Sequence, residues 1–172
     1  MLRWILLIGV PVCVCGCTGT EPLPKGSVFY SGVYFIGENV TEPRPSSSKY
    51  MKITGGGFIA DNTTASYHLE IEMTPDAPQH FYVSAKFENP MDADHPFTEQ
   101  ASFATYQRTL SLTHGHVRGL KNASDYTVTV RLFNKEGDDQ PFDTLTQKIR
   151  SYLDTTGDEV QIFRGVQRRQ GS

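Results

Sequence analysis

The 172-residue sequence predicts an all-β protein, an antiparallel two-sheet sandwich, from three observations. Beyond residue 28 the apolar residues recur mostly at every second position, the period of a half-buried strand. Clusters of Asp, Asn, Pro and Gly separate these runs at short intervals, as turns do between antiparallel strands. The composition, 38% hydrophobic and 20% charged, is that of one ordinary globular domain. A formal net charge of −3 gives no basic excess to neutralise phosphates, which excludes a nucleic-acid binder on electrostatic grounds.

Taken in chain order, the first element is not part of the sandwich. A single positive charge, Arg3, precedes an apolar run from Trp4 to Cys15, the layout of a secretory signal peptide. The run falls short of the roughly 20 apolar residues that span a bilayer, and Gly9 and Pro11 interrupt it. At its end, Val14-Cys15-Gly16-Cys17 resembles the lipobox of bacterial lipoproteins: an aliphatic residue at −3, small residues at −2 and −1, then cysteine. That resemblance implies cleavage before Cys17, a diacylglycerol on the Cys17 thiol and an acylated new N-terminus. Cys13 and Cys15 fit less well, because valine (Val12 or Val14) precedes each.

The cysteine count agrees with an anchor. All three cysteines lie at or before position 17, so the processed chain keeps only Cys17 and has no pair for an internal disulfide. Two or more acyl chains give stable membrane attachment where one gives marginal binding. Removing residues 1–16 removes Arg3, leaving 15 basic against 19 acidic side chains, a balance of −4. A surface of that sign is not drawn to anionic lipid, so attachment falls to the acyl chains. Residues 17–27 then form the lipidated cysteine and a tether, in which Thr18 to Ser27 is rich in Gly, Pro and small polar residues. In lipoproteins of this kind an aspartate after the cysteine favours inner-membrane retention; with Thr18 there, the resemblance implies the outer membrane in a diderm source.

Residues 28–172 are read as the sandwich with extra terminal strands. Val28–Ile36 and Tyr50–Thr54 are irregular strand candidates, followed by Gly55-Gly56-Gly57, which reads as a bulged or flexible connection. The clean alternations come next. Tyr67, Leu69, Ile71 and Met73 form one apolar face, Phe81, Val83, Ala85 and Phe87 a second, and Tyr126, Val128, Val130 and Leu132 a third. Phe103–Leu112 reads as a single less regular strand between the last two. Asp143–Leu153 fits a helix face or a strand face, and its Thr and Tyr content favours the strand. A turn at Thr155-Thr156-Gly157-Asp158 then leads into a final strand that includes Val160–Val166.

One local pattern narrows the fold. In Gly119-Leu120-Lys121-Asn122-Ala123-Ser124-Asp125-Tyr126, a leucine stands six residues before a tyrosine that opens an alternating strand. This resembles the E–F corner of immunoglobulin and fibronectin type III-like sandwiches. The resemblance implies that Tyr126 packs at the end of the core while its hydroxyl bonds backbone a few residues upstream. Such domains commonly carry a tryptophan on an early strand; here Phe81 or Tyr82 is expected to fill that volume.

Groups fit for catalysis are few. There is no G-x-S-x-G elbow, no H-E-x-x-H helix and no P-loop. The most suggestive pair is His114 and His116: two apart on a strand they face the same way and could meet one metal ion, given a third ligand from elsewhere. The acidic loops Asp92-Ala93-Asp94-His95 and Asp138-Asp139 lack the spaced oxygens of a calcium loop. Arg164, Arg168 and Arg169 read as a solvated tail. Sequons at Asn39, Asn62 and Asn122 would carry glycans only if the chain were a eukaryotic secreted glycoprotein.

The expectation is therefore a lipid-anchored envelope protein of the outer membrane, facing the periplasm or, as the alternative, the cell surface, with lipid attachment at Cys17. It is expected to bind an envelope protein or polysaccharide without catalysis, cofactor or metal. The alternatives are a hydrolase or metal-dependent enzyme built on His114 and His116, or the eukaryotic glycoprotein.

Overall fold

Wherever apolar residues alternate, the structure forms a strand and turns that face inward. The computed structural model describes residues 43–60, 63–104 and 106–163 in full, together with the backbone of Glu21–Pro22 and Phe29–Ser31. The strands are β1 (Glu21–Pro22), β2 (Phe29–Ser31), β3 (Met51–Ala60), β4 (Ala65–Met73), β5 (His80–Phe87) and β6 (Phe97–Ala104). They continue with β7 (Thr109–Val117), β8 (Asp125–Phe133), β9 (Asp143–Arg150), β10 (Leu153–Asp154) and β11 (Gln161–Ile162). Tyr67, Leu69, Ile71 and Met73 of β4, Phe81, Val83, Ala85 and Phe87 of β5, and Tyr126, Val128, Val130 and Leu132 of β8 are all buried. Each such side chain contributes on the order of 1.5–3 kcal/mol if large and fully withdrawn from water.

The strands form two antiparallel four-stranded sheets, β2-β3-β4-β7 and β6-β5-β8-β9, around one hydrophobic core. This is the expected all-β sandwich. In immunoglobulin lettering, β3, β4 and β7 take the places of A, B and E, and β5, β8 and β9 those of C, F and G. Of the two strands left over, β2 pairs with β3 at the edge of the first sheet, and β6 pairs with β5 along its whole length and so belongs to the second. A third, small sheet of order β1-β11-β10 lies outside the two main sheets.

Several sequence expectations are corrected. Phe103–Leu112 is two strands: the chain turns after Ala104, whose carbonyl accepts from Gln107 N–H at 3.2 Å, and Tyr106 is exposed. Apolar spacing bridged the break because Phe103 and Leu110 stand on either side of it. Gly55-Gly56-Gly57 is not a connection but the buried middle of β3, paired with Glu70, Leu69 and His68. The expected bulge is there, one residue earlier, between Ile53 and Gly55. Most of the ambiguous 143–153 segment is strand β9 (Asp143–Arg150), with Leu145, Gln147 and Ile149 inward. It is followed by the β10–β11 hairpin, which pairs only Leu153–Asp154 with Gln161–Ile162. Of Val28–Ile36, only Phe29–Ser31 is described, as β2, paired with Phe58–Ala60.

The missing tryptophan is replaced differently from expectation. Phe81 is buried, but it packs toward the β6 side, on Phe103 at 5.3 Å between ring centroids. The centre is filled by Phe58, Tyr67, Phe87 and Tyr126, linked ring to ring at 4.7 Å (Phe58–Tyr67), 5.2 Å (Tyr67–Phe87) and 5.9 Å (Phe58–Tyr126). Phe58, coming from a strand longer than the sequence suggested, was the member not foreseen.

Candidate functional site

The predicted corner forms as the motif implies. Leu120 is fully buried, and Lys121 N–H donates to the Tyr126 hydroxyl oxygen at 2.7 Å. Burial is the main reason the Tyr126 phenol titrates above its ordinary value. The loop before it is fastened to residues 151–155 by contacts no sequence motif announced. Leu120 N–H donates to Thr155 Oγ1 at 2.9 Å, and Thr155 N–H returns a bond to the Leu120 carbonyl at 2.9 Å. Ala123 N–H and Ser151 N–H bond the Ser151 and Ser124 carbonyls, each at 2.9 Å. Gly119 enters this loop at φ +81°, a conformation that L side chains rarely adopt, with Met91 lying across the place a Cβ would take.

Tyr67 spans the interior. From β4 its hydroxyl donates to the Glu88 carbonyl at 2.8 Å, just beyond β5, and Glu88 in turn accepts Thr127 N–H at Oε2. Burial pushes the Tyr67 phenol well above its ordinary value, with the Glu88 charge adding to the effect.

The histidine pair of the sequence comes apart. Along β7, Leu110 and Leu112 are buried and His114 follows on the same face, half-buried. Opposite Ser66 of β4, however, β7 places two residues, Gly115 and His116, and this bulge resets the alternation so that Val117 is buried next. His116 takes φ +59° and is exposed. The expectation that two imidazoles share a face is therefore corrected: the bulge breaks the period on which it rested. His114 instead reaches β6, where Nδ1 meets Glu99 Oε1 at 2.7 Å and the ring stacks on Phe97 at 4.2 Å and 19°. Phe87 lies behind at 6.1 Å. This cluster joins the two sheets along one side of the sandwich.

The other side is joined by Gln147 of β9, a fully buried amide. Its Oε1 accepts Ser46 N–H at 2.7 Å and its Nε2 donates to the Arg44 carbonyl at 3.2 Å. Asp143 extends the seam, accepting Ser48 Oγ–H at 2.7 Å and Tyr50 N–H at 2.9 Å. Nearby on the β8–β9 ladder, Arg150 grips Asp125 with two hydrogen bonds of 2.7 and 3.0 Å, which holds that carboxyl below its ordinary range.

The acidic loops are engaged within themselves. Asp92 Oδ2 meets His95 Nδ1 at 2.7 Å and Asp92 Oδ1 accepts Asp94 N–H at 3.2 Å. Asp138 closes a turn on Lys135 through both its backbone and its carboxylate. Among the described residues, no three His, Cys, Asp or Glu side chains gather closely enough to hold one metal ion. No helix among them is long and apolar enough to cross a membrane. Cys17, Asn39, Asn62 and the arginines at 164, 168 and 169 lie outside the described residues. Within the stretch read as a tether, Glu21–Pro22 form β1 and pair with Ile162 and Gln161 of β11. Comparison of the chain with family models, with curated proteins and with solved structures found no match in any of the three.

Proposed function

We propose that this chain is a lipoprotein of the bacterial cell envelope, anchored in the outer membrane through acyl chains on Cys17 and facing the periplasm. Its sandwich serves as a non-catalytic binding or assembly module for an envelope protein or polysaccharide. The observation that carries this reading is Val14-Cys15-Gly16-Cys17 at the end of an apolar leader, with every cysteine of the chain at or before position 17. A structural role for His114 is supported by its contact with Glu99, which ties β7 to β6.

The pairing of β1 with β11 gives the anchor a geometric consequence. Glu21 lies four residue steps beyond Cys17, with three residues between them, and fully extended that span reaches about 13–14 Å. The end of the domain that carries β10 and β11 is thereby held close to the lipid surface, leaving the far loops to a partner.

Growth with labelled palmitate tests the reading. Label is expected in the wild-type chain, and Cys17→Ser is expected to lose it together with membrane fractionation. A chain that takes up no label and fractionates identically after the substitution overturns it.

A further inference from the structure

Each sheet of the sandwich has two edge strands, and three of the four are protected. Among the described residues, β2 is only three residues long. The bulge at Gly115 and His116 breaks β7, and β9 carries Asp143, Lys148 and Arg150 and runs beside the 43–48 segment held by Gln147. Short length, bulges, charge and covering segments are the usual ways an edge avoids pairing with a second chain.

Among the described residues, strand β6 has no bulge, no covering segment and no basic side chain. It runs for eight residues in unbroken register with β5, from Phe97 opposite Phe87 to Ala104 opposite His80. It contains no Lys, Arg or Pro, and its single charge, Glu99, is engaged by His114 on the inner face. Thr98, Gln100, Ala101 and Ser102 are exposed. Among the described residues β5 is its only neighbour in the sheet, so every second residue directs its N–H and C=O outward.

We propose that β6 pairs antiparallel with β6 of a second copy of this chain, joining two β6-β5-β8-β9 sheets into one across a two-fold axis at Gln100. The argument for a second copy, over any other strand, is the side-chain order itself. Phe97-Thr98-Glu99-Gln100-Ala101-Ser102-Phe103 reads chemically alike in both directions about Gln100 except at Glu99 and Ala101. In antiparallel pairing centred there, Phe97 stands opposite the other copy's Phe103, Thr98 opposite Ser102, Glu99 opposite Ala101, and Gln100 opposite Gln100. Aromatic, hydroxyl and amide pairs each fall across from their own kind, the combinations that stabilise cross-strand contacts. The carboxylate meets a methyl group and never its own copy. Residues directly opposite share a face, so the phenylalanines meet on the inner side, where Phe97 and Phe103 are still partly exposed. The contact is isologous, as a closed dimer requires.

The test uses residues 18–172, which contain every described residue and no cysteine. Sedimentation equilibrium across micromolar to sub-millimolar concentration is expected to show a monomer–dimer equilibrium. Gln100→Lys, which sets like charges face to face on the axis, is expected to weaken it about fivefold without lowering the thermal midpoint at concentrations where both chains are monomeric. Cysteine cross-linking reads the register. Opposed Cβ atoms lie about 4.5–5.5 Å apart, within reach of a disulfide after slight adjustment. Gln100→Cys alone is therefore expected to cross-link, and Thr98→Cys only when mixed with Ser102→Cys. A chain that stays monomeric throughout overturns the proposal. So does a dimer in which Gln100→Cys cross-links no better than Lys52→Cys, an exposed position on β3 of the other sheet.

Discussion

Along one side of the sandwich the sheets are joined by a buried neutral amide, Gln147, gripping backbone at Ser46 and Arg44. Along the other they are joined by His114 and Glu99, whose side chains keep 23% and 43% of their exposure, with Phe97 stacked beneath the imidazole. The first seam is strong because its polar atoms have no water to turn to: an unmade bond there leaves a desolvated group unpaired. At the second, solvent competes for every charge, and the stacked ring carries much of the cohesion. Burial, more than bond type, sets what each seam contributes.

The largest effect expected from breaking this contrast is at the buried seam. Gln147→Leu keeps the volume but deprives Ser46 N–H of the Oε1 acceptor, so a loss of about 2–3 kcal/mol is expected in urea unfolding. A loss no larger than that of a surface substitution would show that the 43–48 segment is not held by this amide.

An intermediate effect is expected in the interior between the seams. Tyr67→Phe removes the bond to the Glu88 carbonyl, a loss of about 1 kcal/mol at neutral pH. Because burial raises the Tyr67 phenol above its ordinary value of 10.0, the neutral form stabilises the fold fully below that value. The stabilisation is lost as pH rises toward the folded-state value. The wild type should therefore lose stability faster than the variant above pH 10.0, and the gap between their unfolding midpoints should narrow. Parallel curves would mean that the hydroxyl is not shielded from water.

The smallest effect belongs to the exposed seam. Measured at a pH where the imidazole carries its charge, Glu99→Gln is expected to cost about 0.5–1 kcal/mol at low ionic strength and less in high salt. A cost equal to that of Gln147→Leu, insensitive to salt, would erase the distinction between the seams.

How much of this was legible in the sequence depends on the range of the signal. The faces of β4, β5 and β8 were readable because alternation is a local property, and Leu120 with Tyr126 because the corner closes within six residues. Gln147 gave no such signal. Its donor and acceptor partners, Ser46 N–H and the Arg44 carbonyl, stand 101 and 103 residues away, and a glutamine at an inward position reads from sequence as a break in the apolar face. The break between β6 and β7 was hidden because apolar residues on both sides kept the spacing.

The sequence by itself determined the sheet-forming periodicity, the inward faces of three strands and the corner between β7 and β8, and it holds the cysteine pattern at the N-terminus. The tertiary structure decided which strands became neighbours, and with them the amide at one seam, the imidazole–carboxylate pair at the other and the separation of His116 from His114. The reason is physical. A period of two is written residue by residue, whereas a bulge or a cross-sheet hydrogen bond exists only once two distant segments have been set side by side.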